Sequence, residues 1–125
     1  MPFHAVTPIL RSFDEAKARE FYVDFLGFTV DFEHRFEPGT PLYMGISRDA
    51  CLIHLSEHHG DGTPGTTVRI RCDELDAYLA ALTAAAYKHY RPAIQQQPWG
   101  RDMSVQDGAG NKLVFFDDRT ATSPT

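Results

Sequence analysis

From Gln97 to Phe116 the chain spells out a β-hairpin. An alternating segment through Met103, Ser104, Val105 and Gln106 runs into Asp107-Gly108-Ala109-Gly110-Asn111, and a second apolar run, Lys112 to Phe116, follows. Glycines in such a turn take positive φ at little steric cost. An earlier stretch repeats the outline: Leu42 to Ser47, the turn-like Arg48-Asp49-Ala50, then Cys51 to Leu55. A chain that writes the same hairpin twice is predicted to be one supersecondary unit used twice.

What precedes each hairpin agrees. Phe3 to Leu10 is short and apolar enough for a strand, and Pro8, which cannot donate to a ladder, suits an edge, a bulge or a crossing arm. Ser12-Phe13-Asp14-Glu15 reads as a capping box, with the Ser12 hydroxyl accepting from the Glu15 amide. Ala18, Phe21, Tyr22 and Phe25 then form one helical stripe, and Gly27 stands where a C-terminal cap belongs. Phe28 to Glu33 alternates, which predicts Phe28, Val30 and Phe32 on one face and Thr29, Asp31 and Glu33 on the other. In the second half, Thr67 to Cys72 alternates again, Asp73 caps a helix carrying Leu75, Leu79, Leu82 and Ala86, and Arg91 to Ile94 gives a short strand.

The expected fold is therefore α+β: two βαβββ modules forming a curved mixed sheet. One spans residues 1–58 and the other 67–118, joined by a Gly/Pro-rich polar linker at 59–66 and followed by a polar tail at 119–125. With 125 residues, neither half has enough core alone, and together they suffice for one domain. The net charge of -5 disfavours a nucleic-acid partner and leans towards cationic ligands. No signal peptide or membrane-spanning run is present in the sequence, so a cytoplasmic protein is the expectation. Cys51 and Cys72 fall inside strand patterns and read as small reduced core residues.

These pieces resemble the vicinal oxygen chelate superfamily of glyoxalases, extradiol dioxygenases, fosfomycin-resistance enzymes and bleomycin-resistance proteins. The resemblance is carried by Asp14, Phe21-Tyr22, Leu26-Gly27-Phe28, the strand ending His54-Leu55, and Asp107 to Asn111. Gln97-Pro98-Trp99-Gly100-Arg101, Pro8 and Asp31-Phe32 are most similar to the bleomycin-resistance proteins. Gly108 departs from the proline usual in that turn, and glycine suits the turn as well. The resemblance implies a cup, a homodimer with ligand grooves where two chains meet, and an N-terminal strand that crosses to the partner.

Enzymes of that superfamily hold a divalent ion with His, Gln or Glu from four strands. Carried across by register, the four positions fall on Pro8, His54, Thr67 or Arg69, and Val114, of which only His54 offers a metal donor. The expectation is therefore no family-type metal, no cofactor and no catalytic residue. His54, Glu57, His58 and His59 spell His-x-x-Glu-His, but on a strand and loop rather than on the helix that motif needs. His4, His34 and His89 are isolated.

If the helices cover one face of the sheet, alternation assigns Leu52, His54, Thr67, Arg69, Arg71, Ser104 and Gln106 to the other. Such polar groups serve either a ligand or a solvated sheet surface. Trp99, between Pro98 and Gly100, suits stacking on a planar ligand or core packing, and Phe32 is open to the same two readings. The candidate ligand-binding set is Asp31, Phe32, Phe36, Tyr43, His54, Arg69, Trp99 and Ser104. The reading is metal-independent sequestration of a bleomycin-class antibiotic or a similar planar cationic molecule, with aromatic walls for the rings and Asp31 and Glu33 for the cation. The alternatives are a metal-dependent lyase or dioxygenase using His54, and a binder of an unidentified metabolite.

Overall fold

The computed structural model describes residues 1–85, 87 and 91–120. They form two compact units: Met1–Thr66 together with Gly108–Asn111, and Thr67–Asp107 together with the chain from Lys112 onward. No helix among the described residues is long and apolar enough to cross a membrane.

The first unit runs β1 (Ile9–Arg11), α1 (Glu15–Ala18) continuing into a π-helical segment (Arg19–Phe25), β2 (Thr29–His34), β3 (Tyr43–Arg48) and β4 (Cys51–Ser56). Its sheet has the order β1-β4-β3-β2, with β1 parallel to β4 and the other pairs antiparallel. The second unit repeats this: β5 (Thr67–Arg71), α2 (Leu75–Ala85), β6 (Gln95–Gln97), β7 (Gly100–Gln106) and β8 (Lys112–Asp117), in the order β5-β8-β7-β6 with β5 parallel to β8. The fold is α+β, a βαβββ unit used twice.

Each sheet buries one face. Phe21, Tyr22 and Phe25 are buried in the first unit together with Leu10, Met44, Ile46, Ile53 and Leu55. In the second, Leu75, Tyr78 and Leu82 of α2 are buried along with Met103, Val105, Leu113 and Phe115, and Tyr78 meets Phe115 edge-on at 5.0 Å. Strand alternation leaves the residues between these on the opposite, open face.

Several boundaries differ from the sequence expectation, each for a local reason. The helix cap is Asp14, whose carboxylate accepts from the Lys17 amide at 3.1 Å, rather than Ser12. Ser12 is buried, its amide donating to the Ser56 carbonyl as β1 ends, and Glu15 is ion-paired to Arg19 and Arg35 instead of closing a capping box. The first strand begins at Ile9, not Phe3, although the Pro8 carbonyl already accepts from the His54 amide at 3.0 Å. The strand expected at Arg91–Ile94 lies at Gln95–Gln97, beyond the reach of Pro92. Tyr78, absent from the predicted stripe of α2, is buried while Leu79 is half-buried. Asp117 is the last residue of β8, one short of the expected module end at 118. Cys51 and Cys72 are free thiols and half-buried, short of the core placement expected. The expected helix residue Ala86, His89, and residues 121–125 of the expected tail lie outside the described residues.

The turn joining β7 to β8 is anchored by Asn111. This side chain is fully buried, and its Nδ2 donates to the Arg11 carbonyl at 2.7 Å. Gly100, which opens β7, has φ +151°, and a Cβ there would overlap the Asp117 carbonyl. Only glycine fits that approach of the two strands.

Candidate functional site

A one-residue irregularity in β2 decides what faces outward in the first unit. Thr29 pairs with Ser47 and Val30 with Ile46, but the register then shifts, so that Phe32 pairs with Gly45, Glu33 with Met44 and His34 with Tyr43. Asp31 is the extra residue of a β-bulge, and a bulge reverses the facing of everything after it. Val30 thus keeps the helix side, while Phe32 crosses to the open face and Glu33 to the helix side, where Arg19 of the π segment holds it. The sequence expectation that Val30 and Phe32 share a face, and Asp31 and Glu33 the other, is corrected by that bulge. With it goes the expected role of Glu33 in attracting a cation, since its carboxylate is already paired.

On the open face, the Phe32 ring lies over Gly45, where any Cβ would overlap it. His54 sits across β3 from the same glycine. Phe32 stacks on Tyr43 at 6.2 Å and 14°, and meets His54 edge-on at 5.2 Å. The Tyr43 hydroxyl and His54 Nδ1 are 2.7 Å apart. Partial burial, and then the charge of Asp61, raise the Tyr43 pKa, so the phenol is protonated and is the natural donor to Nδ1. With Tyr43 as the donor, a neutral imidazole would carry its proton on Nε2 and offer a hydrogen bond on that side. A second aromatic group adjoins at the same end of the sheet: Phe36 meets His34 at 5.1 Å and His58 at 6.2 Å. Phe32 and Phe36 are 43% and 77% exposed, large apolar surfaces without cover in this chain.

Three of the predicted residues, Phe32, Tyr43 and His54, therefore come together on one sheet; Phe36 stands in the β2–β3 connection against His34, and Asp31 is exposed as the bulge. His34 and His58, read from sequence as isolated and as loop residues, join them as ring partners of Phe36. Arg69, Trp99 and Ser104 belong to the second unit. Arg69 lies on β5 with its guanidinium 4.3 Å from the centre of the Phe116 ring. Val114 separates it from Ser104, pairing with Arg69 on one side and Ser104 on the other. Trp99 projects from the β6–β7 turn and is 63% exposed, which rules out core packing within its unit.

Two depressions lie elsewhere among the described residues. One of about 290 Å³ is lined by Ser12, Phe13, Arg35 and Glu57 among others. Another of about 510 Å³ is lined by Arg71, Asp73, Asp76, Arg101, Asp117 and Arg119 among others. The second is a network of ion pairs rather than a receptive pocket, with Arg101 bonded to both Asp76 and Asp117 and Arg119 to Asp76.

The family-type metal positions do not fit an ion. In the first unit Pro8 and His54 are joined by a backbone hydrogen bond, and in the second Arg69 pairs with Val114. His54 is the one donor among these four, and Tyr43 occupies its Nδ1. Among the described residues no three His, Cys, Asp or Glu side chains converge.

Residues 1–122 match a family model described as "Glyoxalase superfamily protein". Among solved structures, a bleomycin-binding protein from bleomycin-producing Streptomyces verticillus, complexed with copper(II)-bleomycin, is 29% identical. The match covers 98% of this chain and 99% of that one, with a TM-score of 0.70. A bleomycin-binding protein complexed with bleomycin is 23% identical over 94% of this chain and 100% of that one, TM-score 0.72. A glyoxalase-related enzyme from Clostridium phytofermentans is 20% identical over 94% and 97%, TM-score 0.73. No curated protein matches the sequence significantly.

Proposed function

This chain belongs to the glyoxalase superfamily, and from that premise we propose that it is a binding protein that sequesters a planar aromatic small molecule, such as a bleomycin-class antibiotic, without transforming it. The superfamily fold is shared by binders and enzymes, so the reading rests on side chains rather than on architecture. The observation that carries it is the open-face group of Phe32, Tyr43 and His54, two stacked rings with an edge-on imidazole hydrogen-bonded to the Tyr43 hydroxyl. Such a surface suits stacking on a heteroaromatic system and one directional hydrogen bond to it. Phe36, with His34 and His58, supplies a second aromatic surface beside the first. Asp31 stands beside the first group, and Arg69, Trp99 and Ser104 are proposed as polar and stacking contacts on the second unit taken by itself. Likeness to bleomycin-binding proteins names a first guest to try.

The working form is a homodimer, in which Phe3 and Val6 of the exposed N-terminal arm are covered by the partner. The test of the binding function is calorimetric titration of the purified protein with metal-free and copper-loaded bleomycin. Saturable 1:1 binding that weakens tenfold or more in Phe32→Ala supports sequestration. No heat at tens of micromolar protein removes this guest, and turnover of the drug removes the non-catalytic reading.

A further inference from the structure

The open face of the second sheet has the opposite charge to the chain as a whole. Thr67, Arg69 and Arg71 of β5, Lys112, Val114 and Phe116 of β8, and Asp102, Ser104 and Gln106 of β7 alternate with the buried residues and so share this face. It carries three cations and one carboxylate, Asp102, in a chain with 12 Lys and Arg against 17 Asp and Glu. Arg71 is committed to Asp73 and Asp118. Arg69 differs from it: among the described residues its guanidinium has no hydrogen bond and no ion pair, only the Phe116 ring beneath it.

An arginine held over an aromatic ring is restrained by that contact and only weakly hydrated, and its N–H fork is left for another partner. That is a donor array made ready for a two-oxygen acceptor, with less rotamer freedom to lose on binding than a free surface arginine. The Ser104 hydroxyl, likewise unpartnered among the described residues, stands across Val114 from it. Val114 is nearly buried and small, an apolar floor between the two donors. β5 and β7 flank β8, so the donors stand two strand spacings apart, roughly 10 Å, within the span of a two-ring aromatic acid.

We propose that this face is an oxyanion site centred on Arg69, which takes an aromatic molecule bearing a carboxylate or an ionised phenol. The inference goes beyond the reading above, because it concerns the second sheet alone.

The test is calorimetry of the full chain with three probes of one shape: 2-naphthoate, its neutral methyl ester and 2-naphthylmethylammonium. The expected order is naphthoate at least tenfold tighter than the ester, with the ammonium weakest. Arg69→Gln removes that preference, raising the naphthoate Kd about tenfold or more and leaving the ester unchanged. Arg69→Lys, which keeps the charge but not the fork, restores only part of it. Thermal melts confirm that the variants fold, as expected at an exposed position. Ammonium binding as tight as naphthoate, or a naphthoate Kd indifferent to Arg69→Gln, overturns the oxyanion site while leaving an aromatic binder. Absence of binding by both naphthoate and ester also overturns it, and leaves the reading of the first sheet to its own titration.

Discussion

Gly45 is the residue on which the aromatic group of the first unit depends. Its φ is ordinary, so an alanine there meets no backbone penalty, only the ring of Phe32 where its Cβ would go. Because Phe32 is on the surface, it can swing outward instead of forcing the sheet apart. Gly45→Ala is therefore expected to cost no more than about 1 kcal/mol of stability, while breaking the Phe32 contacts with Tyr43 and His54 and weakening guest binding at least tenfold. Urea melts and calorimetry on the same sample check both halves of that expectation. Little of this arrangement was legible in the sequence. Phe28 to Glu33 alternates cleanly, and nothing in those six letters marks Asp31 as the residue that bulges; the shift exists only in the pairing with β3. The Tyr43–His54 hydrogen bond was hidden for the same reason, being made by residues eleven apart that meet through hairpin register.

At the scale of elements, the hairpins were the easy part, because turn chemistry and alternation are local, and β3–β4 and β7–β8 stand within a residue of their expected places. The ends of the elements were harder, since they are settled by distant partners. Nothing local gives Asp117 a partner, yet Arg101, sixteen residues earlier, bonds it and reaches Asp76 at the start of α2. Hydrogen bonding to Arg101 holds both the Asp117 and Asp76 carboxyls below the usual carboxylate range. A carboxylate more acidic in the native than in the unfolded state stabilises the fold fully above its unfolded pKa. That contribution is lost as pH falls through the native value. Stability at α2 and β8 is thus expected to be flat above about pH 4, the ordinary carboxylate value, and to fall below it. Arg101→Gln leaves Asp117 without its ion-pair partner, so it should lower stability near neutral pH by about 3 kcal/mol and flatten the acid limb. Thermal unfolding followed from pH 7 to pH 2 in both proteins measures this; an unchanged acid limb in the variant assigns acid sensitivity to other carboxylates.

At the scale of the whole molecule, the apolar surface left uncovered is concentrated at one end of the chain. Residues 1–8 form no strand, and within them Phe3 is 97% and Val6 87% exposed. β1, which follows directly, is the edge strand of its sheet, with its Arg11 carbonyl already taken by Asn111 and Gly62 packed against its backbone. The apolar arm is therefore what is left to cover, and burying a phenylalanine and a valine from full exposure contributes about 1.5–3 kcal/mol each. The dimer proposed above would supply that cover, with each arm laid on the other chain. The expected behaviour is a dimer in sedimentation equilibrium at micromolar concentration and a melting temperature that rises with concentration, as mass action requires of a fold coupled to association. Removing residues 1–8 should yield a monomer that melts lower and no longer responds to concentration. Phe3→Ser with Val6→Ser should weaken the dimer without shortening the chain, separating loss of apolar cover from loss of backbone. A full-length chain that sediments as a monomer at tens of micromolar would leave the arm uncovered, and the guest would then have to be held by the faces of a single copy.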